Sequence, residues 1–203
     1  MYEIKTITTK DELKRLFNFL SEVFYNDAIE HNEHYYTMYE RYEEMKEQLK
    51  VDNEMLLYIE KDNKIIAGIT GKNMKDNKIT IGMIAVSSLE RNKGLAKQLL
   101  LEFEYRCKKK KITHIDLGAR FRACPIYQSL KYNYTLMIQV FDFVTIEEIR
   151  RKNKYNFEEI SSWQGETYGY IFLKTNEIKK EYIDYFEKEV KTAHAQYIFE
   201  KEL

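Results

Sequence analysis

The sequence predicts an α/β fold, and three observations predict it. Apolar residues recur at helical spacing in its first fifty positions. Three β-rich runs follow, separated by Asn- and Asp-rich turns. After them, helix-like and strand-like segments alternate to the C-terminal end. The predicted order is strand, two helices, three strands, helix, strand, helix, strand, with an extension from about residue 146.

Residues 2 to 8 read as a short strand, and "TKDE" from Thr9 to Glu12 is a capping box that starts a helix. Leu13, Leu16, Phe17, Leu20, Val23 and Phe24 recur at three- and four-residue steps and form one buried face. The polar stretch "NDAIEHNEH" predicts a break before a second helix at about 34 to 50, lined by Tyr35, Met38, Tyr39, Tyr42, Met45 and Leu49. "EMLLYIEKDNKIIAGITGKN" and "NKITIGMIAV" then supply an antiparallel meander, its turns in "KDNK" and "KNMKDN". A helix from Gly94 to Tyr105, a strand "ITHIDLGA", a short helix "ACPIYQSL" and a strand "NYTLMIQVFDFV" complete the core. Beyond residue 145, "TIEE" reads as a second capping box, and 146 to 166 as polar and irregular around Trp163. A strand "YGYIFLKT", a helix over 176 to 191 and a strand "AQYIFEKEL" end the chain. The expected division is a catalytic domain over 1–145 and an extension over 146–203, which lengthens the sheet or builds a homodimer interface.

Composition excludes several classes. A chain of 203 residues with 44% hydrophobic side chains can bury a core. Its 33 basic and 33 acidic residues cancel, so no long-range attraction to nucleic acid or anionic lipid is expected. No run approaches the roughly 20 apolar residues that cross a bilayer, and no signal-peptide pattern opens the chain, so a cytoplasmic location is expected. Cys107 and Cys124 fit neither a metal knuckle nor a redox pair and are expected as reduced thiols. The run Lys108 to Lys111 reads as a solvated helix C-terminus.

The chemistry concentrates in "ERNKGLAKQLL", residues 90 to 100, directly after a strand. Gly94 permits close backbone approach, and the helix beginning there has unpaired first-turn amides that favour an anion. Arg91, Lys93 and Lys97 add positive charge. A dinucleotide fingerprint and a P-loop both fit poorly, because the stretch has neither three glycines nor a Gly-Lys-Ser/Thr ending.

This stretch resembles the acyl-CoA loop of the GNAT superfamily of N-acetyltransferases: Arg91, Gly94 and Ala96 match a pattern of Gln or Arg, two residues, Gly, one residue, then Gly or Ala. A second match lies in "GARFRACPIYQSLKYN", where Ala123, Tyr127, Leu130 and Tyr132 fit a later family motif and Lys131 stands where glycine is usual. The resemblance covers about residues 2 to 144. It implies a mixed, largely antiparallel central sheet flanked by helices, acetyl-CoA as cofactor, and a small-molecule or peptide amine as acceptor. It also implies cofactor-binding roles for Ile84, Ala85, Val86, Arg91, Asn92, Lys93, Gly94, Leu95, Ala96 and Lys97, and a general-acid role for Tyr127. The departure at Lys131 is expected to alter the helix exit.

Amine attack on a thioester needs a positioned acyl group, an amide donor for the oxyanion and a route for the amine proton. The strand end at Ile84 to Val86 offers a donor if its ladder is splayed, and a tyrosine with a pKa of about 10 can protonate the departing thiolate. The strand "KITIGMIAV" has no carboxylate, so no general base is assigned; Asp27, Glu30, His31, Glu33 and His34 are the nearby candidates. The second helix either walls the acceptor pocket or packs in the core. His114 and Asp116 read as a surface pair, and Cys124 as a lining residue with no histidine partner. Two rivals remain: a catalytically inactive CoA-binding regulatory module, and a nucleotide hydrolase.

Overall fold

The structure, a computed structural model, describes residues 2–31, 39–73, 76–141 and 144–203, and of Tyr39 and Asn73 the backbone alone. The chain divides into two compact units, one of residues 1–115 with 202–203 and one of residues 116–201.

The first unit contains β1 (Ile4–Thr6), α1 (Lys10–Glu30), α2 (Tyr39–Val51), β2 (Leu56–Lys61), β3 (Lys64–Asn73), β4 (Lys78–Val86) and α3 (Leu95–Lys109). Its strands pair antiparallel in the order β1, β2, β3, β4. The expected capping box at the start of α1 is present: the Glu12 amide donates to the Thr9 hydroxyl at 3.2 Å, and the Thr9 amide to the Glu12 carboxylate at 3.0 Å. Leu13, Leu16 and Leu20 of α1 pack with Met45 of α2 and with Leu56, Tyr58, Met83 and Ala85 of the sheet. A Cβ on Gly68 would stand 2.4 Å from Leu16, whereas one on Gly71 would stand 2.7 Å from Phe103 of α3, so glycine at both positions lets the helices close on β3.

The turn expected at "NDAIEHNEH" begins later than the sequence predicts. α1 continues through Asn26 and Asp27 to Glu30, held by burial of Ala28 and an ion pair from Asp27 to Arg91, two tertiary terms that local polarity does not contain. Tyr35 and Met38 of the expected second helix lie outside the described residues. The Tyr42 ring packs tilted against Phe17 at 4.7 Å, and Met45 is buried. The Lys108 to Lys111 run sits at the α3 C-terminus, where Lys110 bonds Asp52 and Glu54.

β5 (His114–Ala119) passes from the first unit into the second. The second unit continues with α4 (Cys124–Ser129), β6 (Asn133–Phe141), α5 (Ile146–Lys152), β7 (Glu158–Gln164), β8 (Tyr168–Lys174), α6 (Lys180–Glu189) and β9 (His194–Glu202). β9, β6, β8 and β7 are successive neighbours, each pair antiparallel. Leu136, Ile138, Val140, Ile171, Leu173, Tyr197, Phe199 and Phe186 form its buried side.

Three expectations fail in this unit. Thr145 makes no side-chain cap; the Ile146 amide is taken at 2.9 Å by the Gln164 side chain, a partner 18 residues away, so "TIEE" is not a capping box. Residues 146 to 166 are not irregular but form α5 and β7. Arg150 of α5 bonds both Glu159 oxygens, at 2.7 and 2.8 Å, and the Ser162 hydroxyl. β7 is exposed along nearly its whole length, which erases the alternation that marks a half-buried strand. Finally, α6 starts at Lys180 rather than 176, because the Lys179 amide donates to the Tyr197 hydroxyl at 2.9 Å instead of entering a helix.

Candidate active site

β4 carries the geometry on which the site depends. Met83 pairs with Thr70 but Ile81 pairs with Gly71, so Gly82 is an extra residue and the strand bulges there. The Met83 amide donates to the buried Thr70 hydroxyl at 3.0 Å. A Cβ on Gly82 would approach that same hydroxyl to 3.2 Å. The isolated glycine in "KITIGMIAV" was the sequence signal for this bulge.

Beyond the bulge, the Ser87 amide donates to Ile66 at 2.8 Å, and the Val86 carbonyl accepts from the Arg91 side chain at 3.4 Å. Because backbone polar groups alternate direction along an antiparallel strand, the amides of Ile84 and Val86 point away from β3. Ala85 lies on the opposite face from these two side chains and packs in the core with Met83.

The loop then turns at Asn92 (φ 63°) and Gly94 (φ 79°), both left-handed, a conformation glycine adopts freely and asparagine tolerates. Gly94 is the N-cap of α3. No side chain caps the helix, its first turn holds no acidic residue, and a Cβ on Gly94 would meet nothing within 4 Å. The first intrahelical bond runs from the Gln98 amide to Gly94 at 2.9 Å, so the amides of Leu95, Ala96 and Lys97 have no acceptor in the helix. The result is an open, donor-rich helix start at the positive end of a helix dipole.

The charges around it are partly neutralised, which sequence reasoning missed. Arg91 bonds Asp27 of α1 at 2.6 Å. Lys93 and Lys61 both bond Glu90, at 2.7 and 3.2 Å, and hydrogen bonds from Lys93 and then Lys61 hold the Glu90 carboxyl below the usual range. Lys97 is exposed, and its ammonium makes no ion pair among the described residues. Asp27, one of the base candidates, is thus a partner of Arg91. Glu30 and His31 lie at the end of α1, 3.8 Å apart, and Glu33 and His34 are outside the described residues.

Tyr127 belongs to the second unit, in α4. Its ring packs 5.0 Å from Phe199 and 5.8 Å from Tyr132 and is 2% exposed. Burial, and secondarily Cys124, push its phenol above the ordinary range, and its hydroxyl makes no hydrogen bond among the described residues. α4 ends in a Schellman arrangement: the Tyr132 amide donates to the Tyr127 carbonyl at 3.1 Å, the Lys131 amide to Gln128 at 3.0 Å, and Lys131 sits at φ 60°. The lysine in the usual glycine position therefore keeps the left-handed exit. Cys124 is fully buried, its thiol pushed up to about 12 by burial, which makes it inert as a nucleophile. Cys107 is likewise free and raised to about 12. His114 and Asp116 occupy half-exposed positions of β5. Among the described residues, no helix is long and apolar enough to cross a membrane.

A bulged strand thus leads into a helix whose glycine-capped start is open to an anion. Residues 20–147 match the family model described as Acetyltransferase (GNAT) domain. The chain belongs to the GNAT acetyltransferase family and is an acyltransferase.

Solved structures share the fold. A ribosomal-protein-alanine N-acetyltransferase from Brucella melitensis is similar with TM-score 0.53 at 13% identity, covering 99% of each chain. The ribosomal-protein-S18-alanine N-acetyltransferase from Escherichia coli gives 0.51 at 15% identity, covering 85% of this chain and 92% of that one. A GNAT-family acetyltransferase from Staphylococcus aureus Mu50 gives 0.51 at 16% identity, covering 85% of this chain and 100% of that one. No curated protein matches the sequence.

Proposed function

We propose that the enzyme moves the acetyl group of acetyl-CoA to a primary amine, with residues 1–145 as its catalytic domain. The observation that carries this reading is the opening of α3. Left-handed Gly94, with open space before it, leaves the Leu95, Ala96 and Lys97 amides to an anion. These residues fit a diphosphate: the donors are backbone N–H groups, the helix dipole has the right sign, and Lys97 is an unpaired cation among the described residues. Acetyl-CoA supplies the activated thioester. Arg91, Asn92 and Lys93 shape the loop, with Asp27 and Glu90 orienting the two cations. In this reading the strand end from Ile84 to Val86 lies beside the extended arm of the coenzyme, and Ala85 contributes packing.

Tyr127 is the proton donor in this reading. Burial keeps its phenol protonated at neutral pH, and no described residue holds its hydroxyl. No side chain is assigned as base; an alkyl amine of pKa about 10.4 sheds its proton in a minor fraction before binding. We further assign residues 146–203 to lengthening the sheet or to a homodimer contact, and the protein to the cytoplasm, where its two free thiols remain reduced.

A CoA-binding module without turnover is the second reading, favoured by the engagement of Asp27 with Arg91. Thiol release from acetyl-CoA, followed over a panel of polyamines, amino acids and peptides, separates the two. The transferase releases thiol with at least one amine, and Tyr127→Phe slows that release roughly 100-fold. A module binds the coenzyme and releases none.

A further inference from the structure

We propose that β7 pairs antiparallel with β7 of a second copy of this chain, about a two-fold axis at Trp163. This deepens the assignment of residues 146–203 made above and is independent of acetyl transfer.

The backbone supplies the free edge. In the β7–β8 hairpin the Gly165 amide donates to the Tyr168 carbonyl at 2.9 Å, and Trp163 and Ser161 lie opposite Tyr170 and Phe172. Polar groups alternate direction along an antiparallel strand, so Gly165, Trp163 and Ser161 bond to β8 while the amides and carbonyls of Ser162 and Gln164 face away from it. Among the described residues no strand lies beyond β7. Such an edge is a template for another strand, and proteins usually blunt it with lysine, proline or an inward charge. From Ser161 to Gly165 the strand has none of these. Its two carboxylates precede that stretch and are held within the unit, Glu158 by Lys174 at 3.4 Å and Glu159 by Arg150 at 2.7 Å. The extra residue Ile160 bulges the strand between them and Ser161, which confines pairing to the uncharged half.

Self-complementarity selects a second copy and sets the register. With the axis at Trp163, Ser162 of each copy faces Gln164 of the other, so every outward group of the stretch is bonded. Glu166 falls opposite Ile160. Moving the axis to Ser162 sets Glu158 opposite Glu166, and like charges directly opposite are destabilising. Moving it to Gln164 leaves the Ser162 groups facing the hairpin turn. Trp163, 43% exposed, then meets its own copy in a non-hydrogen-bonded pair, where side chains come closest. Its ring lies over Gly165, where a Cβ would stand 2.4 Å away. Gly165 is the residue opposite Ser161 of the second copy, and two such small residues leave the ring room. Tyr168 and Tyr170 already hold that ring, at 5.0 and 5.6 Å, so pairing orders little that is not ordered.

Sedimentation velocity from about 5 to 500 µM tests the pairing. A contact of one short strand lies at the low end of specific interfaces, so monomer is expected at the bottom of this range and dimer at the top. Ser162→Pro removes an outward amide, which an edge strand tolerates, and Trp163→Lys places a charge on the axis. Each is expected to weaken the dimer at least about 10-fold, with circular dichroism and thermal melting showing the fold retained. Ser162→Ala loses the same hydroxyl but keeps the amide, and should dimerise like the parent. If Ser162→Pro does not fold, Trp163→Lys decides. Trp163→Cys sets two thiols across the axis with Cα atoms about 4.5 Å apart, within disulfide range, and should form a covalent dimer with diamide. Ser161→Cys lies on the same face with its two copies about 14 Å apart and should not. Cys107 and Cys124 are fully buried and do not compete. A monomer throughout the range, a dimer that survives both Ser162→Pro and Trp163→Lys, or no preferential cross-linking of Trp163→Cys overturns the proposal. None of these measurements involves coenzyme or acceptor, so acetyl transfer stands or falls separately.

Discussion

Gly94 and Lys131 show how one backbone conformation serves two ends. Both are left-handed, one opening a helix and one closing a helix. At Gly94 the absent Cβ leaves space in front of the amides, so Gly94→Ala adds strain of about 1–2 kcal/mol and a methyl group where the diphosphate is proposed to sit. Calorimetry should show acetyl-CoA affinity falling at least about 10-fold, with only a small drop in melting temperature. At Lys131 the strain has no such use. Lys131→Gly should raise stability by about 1 kcal/mol, read as a rightward shift of the urea midpoint without a change in slope. The departure from the family motif is visible in the sequence; that lysine nonetheless adopts the glycine conformation is not, because the amides of Lys131 and Tyr132 must first find Gln128 and Tyr127.

At the scale of elements, the chain's own signals were strongest where local and tertiary demands agree. The α1 capping box and the meander of β2 to β4 fall into that group, each closing bonds between near neighbours. α5 and β7 fall outside it. Their contact is made by Arg150 on Glu159, and hydrogen bonds from Arg150 and then Ser162 lower the Glu159 carboxyl to about 2. A depressed carboxylate contributes stability that is complete above its ordinary value near 4.3 and is lost as pH falls toward 2. Both side chains are about a third exposed, so screening limits the contribution to about 1 kcal/mol or less. Chemical denaturation should show Glu159→Gln less stable than the parent at pH 6, and the gap closing as pH approaches 2.

For the molecule as a whole, ligand linkage offers the broadest check on the proposed function. A coenzyme that binds only the folded protein stabilises it by about 2.7 kcal/mol at a concentration 100 times its Kd. Thermal melts in acetyl-CoA should therefore shift upward by several degrees, and in ATP with magnesium they should not. The reverse pattern would restore the hydrolase reading.

Read by itself, the sequence determined the element order of the first unit, the anion-ready turn at Gly94 and the family, because each depends on residues close together along the chain. The tertiary structure alone decided that Asp27 is spent on Arg91, that Glu90 gathers two lysines, that Gly82 bulges β4, and that Arg41, Glu44 and Lys72 meet. Asp27 and Arg91 are separated by 64 positions, and Glu44 and Lys72 by 28. No local preference encodes such pairs; they form only after hydrophobic burial has brought the distant segments together and met the entropic cost of closing the chain between them.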